Sequence, residues 1–258
     1  MGLLSKIFGG RDYVAFDELK RKYRKMPIAE LASFQKSYKK EDWSSEAKKA
    51  IEEVLEERRE ELENIREKTS DFLIQKTAQV VATRICEFSI NAGEVISGEL
   101  GKGDIKDLKD ETVIWKLVIE MEFVLLYLTG RKLSAFLDDQ RRQKFINILV
   151  EDVGRDTIDT ALLGSNNNEV EELMKGYFDQ LTERSEQYFK IKNVILEDGD
   201  VTEGTLLWEF GKKVANIIDS SEISDVAKRC RNLVLAVWKE LNLDDIFTKL
   251  KEDIHTSI

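Results

Sequence analysis

Proline is nearly missing from this chain: Pro27 is the only one in 258 residues, where average usage would supply about a dozen. Proline breaks helix interiors, so long uninterrupted helices follow from its scarcity. Strand signals are thin as well. Few windows alternate apolar and polar residues at period two, and hairpin dipeptides flanked by β-branched runs on both sides are missing. The expected fold class is therefore all-α.

Histidine is as scarce as proline. His255 is the only one, and it falls in a polar C-terminal stretch that a packed core does not readily enclose. Ser-His-Asp and Cys-His mechanisms, HExxH zinc sites and the Glu-x-x-His di-iron pattern all need imidazole inside a site. That supply is lacking here. The two cysteines, Cys86 and Cys230, stand far apart and match neither a zinc knuckle nor a CxxC redox pair. They read as buried thiols, consistent with a reducing, cytoplasmic compartment. No catalytic residue, metal or cofactor is expected, and a non-enzymatic role is the leading expectation.

No apolar run reaches the roughly 20 residues that span a bilayer. The nearest is Val113 to Leu128, in which 13 of 16 residues are apolar and Lys116, Glu120 and Glu122 interrupt. It reads as a central core helix. The N-terminus carries no secretory pattern, and Ser5 falls one place short of the motif that would make Gly2 a myristoylation site. GELGKGD, from Gly98 to Asp104, evokes a phosphate loop but lacks both the GxxxxGK[ST] spacing and a preceding strand. A plain connection between helices is the better reading.

What the chain does have is helical periodicity and a charge asymmetry. Apolar residues recur every three or four positions through most of it. This periodicity predicts an arm over 1–25, a charged helical hairpin over 26–68 and an antiparallel multi-helix body over 69–258. Ser44 is the expected N-cap of the second hairpin helix, which runs to about Lys68. The body is predicted to hold helices over 70–97, 107–129, 135–163 with a bend at Gly154, 169–191, 205–218, 222–241 and 244–251. Asn168 and Glu171 resemble a capping box, and Trp115, Trp208 and Trp238 are expected to pack the bundle.

Residues 1–40 hold ten Lys/Arg and four Asp/Glu, whereas residues 41–258 hold 30 basic and 46 acidic residues, for a whole-chain charge of −10. A cationic arm on an acidic body suits an anionic surface. Leu3, Leu4, Ile7 and Phe8 form one face of a short amphipathic segment. Lys20, Arg21, Lys22, Arg24 and Lys25 then make five basic residues in six. Together they are the candidate docking elements for an anionic membrane or an acidic protein partner. The competing expectation is neutralisation within the molecule, because residues 41–68 carry eleven acidic against six basic side chains. Nucleic acid is the weaker partner class, since the chain as a whole would be repelled by phosphate. Self-association through the hairpin, giving a homo-oligomer, stays open.

Two further constellations carry chemistry. Glu122 falls on the apolar side of its helix, Lys109, Lys116 and Glu120 form the polar stripe, and Arg184 sits within the apolar stripe of 169–191. An unpaired buried charge is costly, so Glu122 and Arg184 are expected to meet. With Tyr177 and Tyr188 they would form either a buried ion pair or a pocket for a small anionic or amide-bearing ligand. Asp152, Asp156 and Asp159 recur on one helical face, where a solvated acidic row is favoured over a cation site.

Overall fold

The computed structural model describes residues 16–37, 43–100, 111–161, 167–191 and 201–256. Among these residues every regular element is a helix, with no strand, and the fold is an all-α bundle. The helices are α1 (Phe16–Arg24), α2 (Ile28–Ser37), α3 (Ser45–Glu57), α4 (Arg59–Leu100), α5 (Glu111–Leu133), α6 (Asp139–Ala161), α7 (Asn167–Phe189), α8 (Leu206–Ile217), α9 (Ile223–Leu241) and α10 (Leu243–Thr256). The chain divides into two compact units, Met1–Phe72 with Ile254–Ile258, and Leu73–Asp253.

In the first unit α3 packs against both α1 and α2. Leu19 and Tyr23 of α1, Ile28, Leu31 and Ala32 of α2, and Ala50, Ile51, Val54 and Leu55 of α3 bury together. The narrow apolar stripe of α3 thus serves two partner helices. Ser44 caps α3 as expected, its hydroxyl accepting from the Ala47 amide at 3.2 Å. Pro27 sits just ahead of α2, where its missing N–H costs nothing and its carbonyl accepts from the Leu31 amide.

The helix expected from Ser44 to Lys68 breaks earlier, at Arg58, and α4 then runs unbroken through the point where a gap was predicted. Thr69-Ser70-Asp71, at the expected gap, lies inside the helix, where the Thr69 hydroxyl bonds back to the Ile65 carbonyl at 2.8 Å and Ser70 is buried. At the actual break, the Arg58 guanidinium donates to the Met26 carbonyl at 2.7 Å and to both oxygens of Glu61. It holds the carbonyl end beyond α1 against the start of α4.

In the second unit α5 is the central element: Leu117, Val118, Met121, Phe123, Val124, Leu125, Leu126 and Leu128 are all buried. A helix apolar nearly all round must be enclosed by neighbours, and α6, α7, α8 and α9 all pack on it. Asp138 caps α6, its carboxylate accepting from the Arg141 amide at 3.0 Å, and Thr205 caps α8. Asn242 turns α9 into α10 in the left-handed conformation, at φ 48°, that Asn tolerates better than most side chains. α10 runs to Thr256, longer than expected. The segment of the GELGKGD motif from Gly101 lies outside the described residues, as does the start expected for the helix at 107. α7 starts at Asn167, so Asn168 lies inside the helix rather than capping it. Trp115, Trp208 and Trp238 are half-buried, and the closed core is made instead by Phe123, Phe145, Phe210, Phe247 and Tyr188.

Candidate functional site

On α1 and at Lys25 just past its end, residues four apart fall in rows that face different ways. Leu19 and Tyr23 point into the core. Next to them, Lys20 Nζ reaches Glu53 and Glu57 of α3, each at 2.8 Å, and Arg24 clasps Glu57 through Nε and Nη2 at 2.7 and 2.8 Å. The Arg24 hydrogen bonds, with help from Lys20, pull the Glu57 carboxyl down to about 2. The third stripe, Arg21 and Lys25, is exposed, and so is Lys22. The basic run is therefore partly neutralised by α3 and partly presented outward. Leu3, Leu4, Ile7 and Phe8 lie outside the described residues.

In the second unit, Glu122 is fully buried, as its place on the helix predicts. Its partner is not Arg184. Glu122 Oε1 lies 2.6 Å from Thr157 Oγ1 of α6, and Oε2 accepts from the Tyr177 hydroxyl of α7 at 3.2 Å. Thr157 Oγ1 in turn lies 2.8 Å from the Val153 carbonyl one turn back and 3.9 Å from Cys86 Sγ of α4. α6 runs unbroken through Gly154. A Cβ there would fall 2.9 Å from the Tyr177 ring, so the glycine leaves room for the ring that reaches Glu122. Burial pushes the Glu122 carboxyl up to about 8, against the two hydroxyl hydrogen bonds and with the repulsion of Asp156. Burial also raises the Cys86 thiol and the Tyr177 phenol, and the neighbouring Glu122 adds to both.

Arg184 pairs instead with Glu120, which the sequence assigns to the polar stripe. Nε and Nη2 both reach Glu120 Oε1, at 2.8 and 2.7 Å, with side-chain exposures of 15% for Arg184 and 6% for Glu120. Tyr188 is buried nearby and senses both charges. Its backbone carbonyl accepts from the Tyr127 hydroxyl at 3.0 Å, and the two rings meet edge to face. The four residues expected to form one constellation thus divide between two networks on α5, Glu122 with Tyr177 and Arg184 with Tyr188.

Of the acidic row on α6, Asp156 and Asp159 are exposed and Asp152 is half-buried. Burial, and then the neighbouring Asp156 for Asp152 and Asp159 for Asp156, raises both carboxyls above their ordinary value. Among the described residues no group of three or more His, Cys, Asp and Glu could hold a metal ion, and no helix is long and apolar enough to cross a membrane. Both cysteines are buried and unpaired with each other. Comparison with protein-family models, with curated proteins and with solved structures finds no match to this chain.

Proposed function

We propose that this protein is a non-enzymatic helical adaptor that docks on an anionic surface through the outward stripe of α1. The observation that carries this reading is the way α1 is seated. Leu19 and Tyr23 anchor it, Lys20 and Arg24 are fastened to Glu53 and Glu57, and Arg21 and Lys25 are left on the exposed side. A helix fixed on two stripes presents its third without the entropy loss of ordering a loose tail. Each lysine or arginine near an anionic lipid surface contributes on the order of 1 kcal/mol, so two or three such charges give only weak binding alone. The apolar side chains of Leu3, Leu4, Ile7 and Phe8 would supply the second contact that stable anchoring needs.

Deleting residues 1–25 would strip Leu19 and Tyr23 from the core, so charge reversal is the cleaner test. The full chain is expected to float with phosphatidylserine-containing vesicles at low salt, and neither with neutral vesicles nor at high salt. Arg21→Glu with Lys25→Glu should abolish flotation, while Glu53→Gln with Glu57→Gln, which releases Lys20 and Arg24, should strengthen it. Flotation that ignores the reversal would sink the reading. Absence of flotation together with salt-sensitive retention on polyglutamate, lost on reversal, would identify an acidic protein partner instead.

A second reading has one observation in its favour. Glu120 Oε2 and the Tyr188 hydroxyl are buried beside Arg184, and neither has a hydrogen-bond partner among the described residues. A small amide, with an N–H to donate to Glu120 Oε2 and a carbonyl to accept from the Tyr188 hydroxyl, could satisfy both. A thermal-shift screen with such compounds tests this, and any shift should vanish in Arg184→Met.

A further inference from the structure

Counting hydrogens in the Glu122 network gives a protonation state. Thr157 Oγ1 sits within hydrogen-bonding distance of two oxygens, Glu122 Oε1 at 2.6 Å and the Val153 carbonyl at 2.8 Å. Each contact needs its own hydrogen, because two bare oxygens that close repel. A threonine hydroxyl owns one hydrogen and a carbonyl owns none. The second must come from Glu122. The Tyr177 hydroxyl, with its single hydrogen, donates to Oε2, which places the carboxyl proton on Oε1. The chain of donors then reads Glu122 Oε1–H to Thr157 Oγ1, and Thr157 O–H to the Val153 carbonyl. The Cys86 thiol also approaches that carbonyl, at 3.7 Å.

We infer that Glu122 is held in the folded bundle as a neutral carboxylic acid and acts as a proton latch, its ionisation loosening α6 and α7 from α5. When the proton leaves, Thr157 must turn its only hydrogen to Oε1, and the Val153 carbonyl then faces a bare oxygen at 2.8 Å. The new charge is favoured only by the two hydroxyl hydrogen bonds and finds no cation beside it. From α4 the facing titratable group is Cys86, from α6 Asp156 and from α7 Tyr177, all neutral or negative. The buried faces of α8 and α9 carry one titratable group, Cys230, whose thiol burial pushes up to about 12. The half-buried cation on α7, Arg184, is taken by Glu120. A buried carboxylate with no cation beside it is costly, and proteins answer by keeping the proton or by opening to water.

The sign follows from linkage. The folded carboxyl titrates near 8 and the unfolded one at its ordinary value of 4.5. Between those values the folded chain holds one proton that the unfolded chain has released, so the unfolding equilibrium constant rises up to tenfold per pH unit. Above about 8 the folded state itself ionises and the helices loosen.

The test uses the full chain labelled with carboxyl-13C glutamate. At about pH 6.5, where ordinary glutamates are ionised, one glutamate carboxyl should still be protonated. It should titrate near pH 8, and amide exchange in α6 and α7 should quicken over the same range. Glu122→Gln presents the same donor and acceptor pair as the neutral acid, so it should remove both the signal and the exchange step while keeping the fold. A spectrum in which every glutamate titrates in the ordinary range overturns the inference, and does so on the wild-type chain even if the variant folds poorly. So does an exchange profile that Glu122→Gln leaves unaltered.

Discussion

Gly211→Ala is expected to lower the stability of the Leu73–Asp253 unit by about 3 kcal/mol, the upper end of overpacking costs. α8 crosses α9 at this residue. A Cβ on Gly211 would lie 2.3 Å from the Cα of Ala227, 2.5 Å from its Cβ and 3.0 Å from its backbone nitrogen. Two of those three atoms are backbone, so no rotamer change relieves the clash. The helices would have to separate, opening the packed seam on which both bury their apolar faces. In a helix Ala ordinarily exceeds Gly by up to about 1 kcal/mol, and here that gain is overwhelmed. At about 2–4 °C per kcal/mol for a unit of this size, the melting temperature should fall by roughly 10 °C. Gly176→Ala in α7 is the control, because nothing lies within 4 Å of a Cβ there. The same chemical change should then act in the opposite direction, raising the melting temperature slightly. Thermal unfolding followed by circular dichroism measures both, and two shifts of the same sign would contradict the described crossing of α8 and α9.

The helices were legible because their signal is local. Proline is absent after Pro27, and apolar spacing of three and four marks nearly every element, with the ends displaced by a few residues. The expected break near Lys68 failed for a local reason too. Threonine, serine and aspartate in a row serve equally as a helix start or as interior residues bonded one turn back, and the choice belongs to tertiary packing. The site was legible only to the level of faces. Periodicity placed Glu122, Tyr177 and Tyr188 inside, where they are, but a helical wheel cannot say which buried group meets which. Glu120 was the instructive miss. It shares a side with Lys116, which is exposed, and so looked solvated. Yet 13 of the 16 residues from Val113 to Leu128 are apolar, and a helix enclosed on all sides buries its polar stripe as well. That inference was available from composition alone, and it would have offered Arg184 two acidic candidates rather than one. The partial neutralisation of the basic run was visible as an acid excess in residues 41–68, though its pairing of Lys20 and Arg24 with Glu53 and Glu57 depends on the packing of α1 upon α3.

Arg184→Ala should cost about 3 kcal/mol, the scale on which a buried ion pair fails when one partner is removed. Glu120 keeps only 6% of its side-chain surface and receives both guanidinium hydrogen bonds on Oε1, while Oε2 has no partner among the described residues. Removing Arg184 leaves a buried carboxylate with no cation beside it. Arg184→Lys should recover less than half of the loss, because an ammonium on a flexible stem cannot reproduce two fork-spaced donors on one oxygen. Replacing both partners with apolar residues of similar volume, Glu120→Leu with Arg184→Met, should restore much of the stability, since it removes the desolvated charge along with its partner. Urea unfolding at neutral pH, carried through the double-mutant cycle, measures each step. A pair serving only as a surface contact would show a single-variant loss under about 1 kcal/mol and no coupling. A pair buried as described should instead show the double variant more stable than Arg184→Ala alone.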